Sequence, residues 1–257
     1  MTRSSLGKIG LGLGGIAALA ALAWNYLALP TSTQWTDEEQ RLIASLSLSQ
    51  LPRLPADPSN AQADNPDAAE LGHALYFDTR LSSTGAIACA TCHKPERKFT
   101  DGLKLAVGAG IGNRHTPSLV GLSYSPWFYW DGRKDSQWAQ ALAPLEAKHE
   151  HAMTRGELAR LLLSDADYSA RYRSAFGALP SVDIPAGASP LGDDTERAKW
   201  EGLPETEQQA INEIFTNIGK ALAAYQRKIQ PGRAPFDDYA DRLSRDDSAF
   251  VGQGDEL

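Results

Sequence analysis

Cys89-Ala90-Thr91-Cys92-His93 holds both cysteines of the chain and sets a histidine directly after the second. Two thiols three positions apart on one helical turn reach the two vinyl groups of a single porphyrin. The histidine that follows lies under the ring, placed to offer its imidazole to the iron. The C-x-x-C-H spacing therefore predicts covalent attachment of one haem c through Cys89 and Cys92, with His93 as the metal ligand. Three other uses of such a pair fit less well. A thioredoxin-like redox pair needs a βαβ setting, which the neighbouring sequence lacks. A structural zinc site wants four ligands, and His73, His115, His149 and His151 show no ligand-like pairing. A disulfide across two intervening residues closes a very small loop and adds little.

Outward from the motif, helical patterns flank a long irregular stretch. Asn65-Pro66 opens a helix over Asp67 to Asp78, with Leu71, Leu75 and Tyr76 at helical spacing. Before it, Leu51 to Asp64 is rich in Pro, Asp and Ser and reads as an extended linker. Thr36-Asp37-Glu38-Glu39 is a capping box that starts a short helix through Leu42, Ile43, Leu46 and Leu48. From Leu81 to Ser125, glycines 85, 102, 108, 110, 112 and 121 and Pro117 recur too often for long elements. A loop-rich wrap around a cofactor accounts for so long an irregular stretch. Helices resume at Asp135 to Leu145. Thr154 and Glu157 form a second capping box, serving Leu158, Leu161, Leu162 and Leu163, and Asp165 to Phe176 follows as a further helix. Leu179 to Gly192 is another Pro/Gly-rich loop. Pro204, read as a first-turn residue, starts the longest helix, Glu205 to Ile229, with Ile211, Ile214, Phe215, Ile218, Leu222, Tyr225 and Ile229 in one apolar stripe. With neither repeats nor strand alternation, the chain is mainly α.

The 257 residues are 42% hydrophobic, enough for a core, and carry a formal net charge of −7. That charge argues against nucleic acid or an anionic membrane surface as the main partner and favours a basic redox protein. Arg3 and Lys8 precede an apolar run from Ile9 to Leu29, closed by Pro30. This reads as an export signal, either cleaved after Ala21-Leu22-Ala23 or retained as a membrane anchor, and both place the remainder in the periplasm. The expected organisation is a signal peptide or anchor at 1–30, a short helix and linker at 31–65, a haem domain at 66–243 and a frayed tail at 244–257.

The run Leu71-Gly72-His73-Ala74-Leu75-Tyr76-Phe77-Asp78-Thr79-Arg80-Leu81-Ser82, the haem motif, Phe99-Thr100-Asp101-Gly102, Arg114-His115-Thr116-Pro117-Ser118-Leu119 and Trp130-Asp131-Gly132-Arg133 stand in a telling order and spacing. Together they resemble the bacterial di-haem cytochrome c peroxidase and MauG family. The similarity covers about residues 66 to 240 and matches the N-terminal half of such enzymes. It implies a cytochrome c-like domain, with long irregular loops around a covalently bound haem, that carries the peroxidatic haem. In that family a C-terminal domain with its own C-x-x-C-H carries the electron-entry haem. The sequence holds no second motif, so the resemblance implies either a truncated member or a second haem domain or subunit supplied by a partner.

Carried over residue by residue, Cys89 and Cys92 match the thioether positions and His93 the proximal ligand. Glu150 matches the distal acid-base glutamate, Gln140 a distal hydrogen-bonding glutamine, and Trp130 the tryptophan between the two haems. Structural readings stand beside these. Trp130 with Trp127, Phe128 and Tyr129 also reads as an aromatic core cluster, and Glu150 among Lys148, His149 and His151 as a solvated face. His149, His151 and His73 read as surface residues, and Asp131 with Arg133 as a structural ion pair. Ala109 stands where some members place a removable distal histidine, which implies an open sixth site. His115 stands where many have an asparagine that in some helps hold calcium, so the resemblance leaves calcium open. The function implied is a periplasmic c-type haem peroxidase that reduces hydrogen peroxide with electrons from a small cytochrome or cupredoxin. One alternative is a monohaem electron carrier. Carriers close the sixth iron position with Met or His, and Met153 is the only methionine besides Met1, which counts against it. The other is a MauG-like oxidant of a protein substrate.

Overall fold

A computed structural model describes residues 35–244. The expected leader and all of the tail beyond Ser244 lie outside them. In chain order the helices are α1 (Asp37–Ser45), α2 (Pro66–Phe77), α3 (Cys89–Cys92), α4 (Gln137–Glu146), α5 (Arg155–Ser164), α6 (Ala166–Phe176), α7 (Asp194–Glu201), α8 (Glu205–Gln226) and α9 (Pro235–Leu243). Only isolated β-bridges occur among the described residues, so the mainly α expectation is met. No described helix is long and apolar enough to cross a membrane. The described residues form two compact units, one of Arg53–Pro231 and one of 35–52 with 232–244.

In the larger unit α8 is the central post. Ile211, Ile214, Phe215, Ile218, Leu222 and Ile229 of the expected stripe are buried, and Tyr225 is half-buried. Each aliphatic side chain removed from water in this way contributes about 1.5–3 kcal/mol. Two glycines set the distances between helices. A Cβ on Gly72 would overlap the Ala221 carbonyl, so α2 and α8 meet backbone against backbone. A Cβ on Gly219 would lie 2.7 Å from both Leu142 Cγ and the Trp138 carbonyl, which brings α4 equally close on another face of α8. At the end of α8, Gln226 accepts from Gln137 Nε2 at 2.9 Å, and Gln137 accepts from Ser123 at 2.8 Å. Arg227 donates to Asp64 and to the Pro55 carbonyl at 3.0 Å, clamping the segment that enters α2.

Helix starts follow local chemistry. Asn65 caps α2 by accepting from the Asp67 N–H at 2.9 Å, with Pro66 at the first position. Asp165 caps α6 through the Asp167 and Tyr168 N–H groups. Thr154 accepts from the Glu157 N–H as expected, but the box does not close, because the Glu157 carboxylate accepts from Gly187 N–H at 2.9 Å instead. Pro204 precedes α8 as its cap residue rather than lying in its first turn. In the smaller unit the Thr36–Glu39 box is complete, and α1 meets α9 where Ser47 and Ser49 donate to Asp241 and the Leu48 N–H to Asp237.

Candidate functional site

The stretch between α2 and α4 holds only the single turn α3 and short 3₁₀ turns, and α3 is the attachment motif itself. Thr91 Oγ1 accepts from the Ala88 N–H at 2.9 Å to start the turn, and the His93 N–H closes it on the Cys89 carbonyl at 2.8 Å. One turn puts Cys89 and Cys92 on one face. Both are free thiols. Burial pushes the Cys89 thiol up to about 12 and raises Cys92 as well, aided there by Asp101 and Glu150.

His93 is oriented from two directions. Tyr76, fully buried on α2, donates its hydroxyl to the His93 carbonyl at 2.7 Å. The ring Nδ1 lies 3.0 Å from the Phe99 carbonyl, which can only accept, so Nδ1 carries the proton and Nε2 keeps its lone pair. Burial lowers the imidazole pKa and keeps the ring neutral, the form that binds a metal.

These residues open onto a cleft that faces solvent at its mouth. Its apolar wall includes Ile87, Leu119, Ala141, Leu145 and Leu222. Two thiols on one turn, a neutral imidazole beside them and an apolar-walled cleft fit a covalently attached haem.

Glu150 and Gln140 line the same cleft. Glu150 follows α4 in a tight turn, where its own N–H donates to the Ala147 carbonyl and the Ala152 N–H to the same oxygen. Burial raises its carboxyl pKa, with His149 and Arg133 opposing. The hairpin closed by Val107 and Ile111 rests on this turn. Ala109 N–H donates to the Glu150 carbonyl at 2.7 Å and Gly110 N–H to that of His149 at 3.1 Å. A Cβ on Gly108 would sit 2.8 Å from both carbonyls, so glycine is required for that approach. Gln140 meets the Tyr129 hydroxyl, whose ring lies 3.4 Å beneath the Arg133 guanidinium. Arg133 in turn pairs with Asp131 at 2.7 Å, as the sequence suggested.

Trp130 does not line the cleft. It is 73% exposed, with Arg114 4.3 Å above its ring, and Trp127 is exposed too, so of the four neighbouring aromatics only Phe128 is fully buried. His115, Ala109 and His73 are exposed, and Met153 packs against the core. His149 is exposed as expected, but His151 is not a surface residue. It is 4% exposed, lines the cleft, and its Nδ1 lies 3.1 Å from the Leu81 carbonyl. The turn that carries Glu150 rotates inward at His151, whose N–H donates to the Pro144 carbonyl. Tyr129 is the other residue that the sequence did not single out as part of the site. Its positive φ of 65° is the structural sign of a constrained position.

A profile of the family described as di-haem cytochrome c peroxidase matches residues 66–245. Methylamine utilization protein MauG of Methylorubrum extorquens is 35% identical over 177 residues, 68% of this chain and 41% of that protein. Cytochrome c551 peroxidase of Pseudomonas aeruginosa is 27% identical over 186 residues, 72% of this chain and 44% of that one. The chain thus spans less than half the length of these relatives. Among solved structures, a MauG-like protein associated with microbial copper homeostasis superposes with a TM-score of 0.51 at 23% identity, over 74% of this chain and 48% of that chain, a likeness of fold.

Proposed function

We propose, given that this chain belongs to the di-haem cytochrome c peroxidase family, that residues 53–231 form a peroxidatic c-type haem domain acting on hydrogen peroxide. The observation that carries the reading is the convergence of Cys89, Cys92, His93, Gln140 and Glu150 on one cleft. One haem c is bound per chain. Cys89 and Cys92 would hold it as thioethers and His93 Nε2 would ligate the iron. When bound, it supplies the redox chemistry of peroxide cleavage. Glu150 takes the proton from one peroxide oxygen and returns it to the leaving one. Gln140, fixed by Tyr129, orients the bound peroxide. Electrons come from a small cytochrome or cupredoxin, by way of a second haem domain or subunit. Export through residues 1–30 puts the domain in the periplasm, cleaved free or tethered.

A second reading, oxidation of a protein substrate, draws support from the 35% identity to a MauG protein. Both readings share the first reaction with peroxide, whereas an electron carrier lacks it. Stopped-flow mixing of the haem-loaded protein with peroxide tests this. We expect a rapid change in the haem spectrum, slowed about 10²–10⁴-fold in Glu150→Gln. A wild-type protein inert to excess peroxide would overturn the proposal.

A further inference from the structure

A chain of aromatic rings runs from the cleft wall to the surface on the side of His93. Tyr76 lines the cleft and bonds the His93 carbonyl. Its ring centroid is 5.0 Å from that of Tyr225, and Tyr225 is 5.0 Å from His73, edge to face at 77°. Phe77 closes the group at 5.0 Å from both Tyr76 and His73. Tyr76 is fully buried and Tyr225 half-buried, whereas His73 and Phe77 are exposed, Phe77 by 44%. His73, Tyr76 and Phe77 share one face of α2, and Tyr225 comes from α8, the helix that α2 touches through Gly72. The ring spacings are therefore set by the tightest helix contact in the unit. Nothing in the peroxide step uses these rings.

We propose that Tyr76 and Tyr225 form an electron relay between the haem and the His73–Phe77 surface, with Tyr225 as the redox-active member. The proposal rests on the peroxidatic reading for its oxidant. An oxidising equivalent generated at the haem by peroxide draws one electron from Tyr225 through the Tyr76 ring. Tyr225 loses that electron together with its phenolic proton, which passes to water at the partly exposed ring, leaving a neutral tyrosyl radical. A one-electron donor that reaches the exposed His73–Phe77 end, a route separate from entry through a second haem, returns the electron, and water returns the proton. Tyr76 conducts and is not itself the resting place of the radical. Its hydroxyl donates to a backbone carbonyl, which cannot take up the proton that oxidation would release. Simple core packing accounts for buried Tyr76 but not for a continuous run of rings that ends in solvent.

The test uses the haem-loaded protein, one equivalent of peroxide and no donor, sampled by freeze-quench electron paramagnetic resonance. A tyrosyl signal is expected, and Tyr225→Phe should lower it at least about tenfold while the haem's spectral reaction with peroxide keeps its rate. A nitroso spin trap followed by peptide mapping should label Tyr225 in the wild type. A purely structural role would shift thermal stability and leave the radical in place. Haem reaction without a tyrosyl signal, or a signal that persists in Tyr225→Phe, overturns the relay. Absence of any haem reaction overturns the peroxidatic reading, and the relay with it.

Discussion

Glu150 shows how little a residue's neighbours in sequence say about its surroundings. Lys148, His149 and His151 beside it suggest a solvated face, yet the turn after α4 carries Glu150 to the cleft and buries His151. Burial raises the Glu150 carboxyl, while Arg133 and His149 pull it back. A group that must be deprotonated to accept a proton loses function as pH falls through its pKa, so the acid limb of the peroxide reaction should lie above the ordinary carboxyl value of about 4.5. Arg133→Gln removes one restraining charge, and the limb should move to higher pH, whereas Arg133→Lys should restore it. The pH profile of the single-turnover rate checks this, and a profile unmoved by Arg133→Gln would separate the limb from Glu150. The turn that carries Cys89 and Cys92 was legible because the motif's fixed spacing folds as one helical turn. Tyr129 and His151 were not, because their placement depends on backbone turns, one with a positive φ at Tyr129 and one just after His151 at Ala152, that no short pattern encodes.

Among the helices, legibility followed the apolar stripe. The central α8 buries nearly all of its expected face, and α2 begins within a residue of its predicted start. The sequence reading missed α7 and α9, both short: α7 buries only Trp200, and α9 only Asp237 and Ala240. α7 presents no stripe, although its Asp193–Glu196 capping box was there as a start signal, whereas Phe236, Tyr239, Ala240 and Leu243 of α9 stand at helical spacing in a helix too short to stand out. The approach of α2 to α8 was equally invisible, since a single glycine carries it. Gly72→Ala should force the two backbones apart at a cost of about 1–3 kcal/mol. For a unit of this size that lowers Tm by roughly 2–4 °C per kcal/mol, measurable by differential scanning calorimetry. An unchanged Tm would mean that the contact is not held as closely as the structure places it.

At the scale of the whole unit, the helices frame a site that the irregular residues between α2 and α4 complete. Leu81, Ala88, Leu119 and Phe128 anchor them to the core, whereas Leu103, Leu105, Val107 and Ile111 are all exposed. The exposed hairpin leans on the turn at Glu150. Replacing both Cys89 and Cys92 by serine should abolish covalent haem. Hydrogen exchange should then quicken between residues 81 and 125 while α2 and α8 keep their protection. Equal loss of protection throughout would show that the helical frame depends on the cofactor. Cys89 packs against the core, and Tyr76 ties the His93 carbonyl to α2, so the turn between them is held by the helical frame. Porphyrin joined to both thiols would therefore be anchored to the helical frame on one side and would face the irregular residues on the other. Such a cofactor would act as a strut as well as a reactant, and its loss would loosen the wall it braces before it touched the helices.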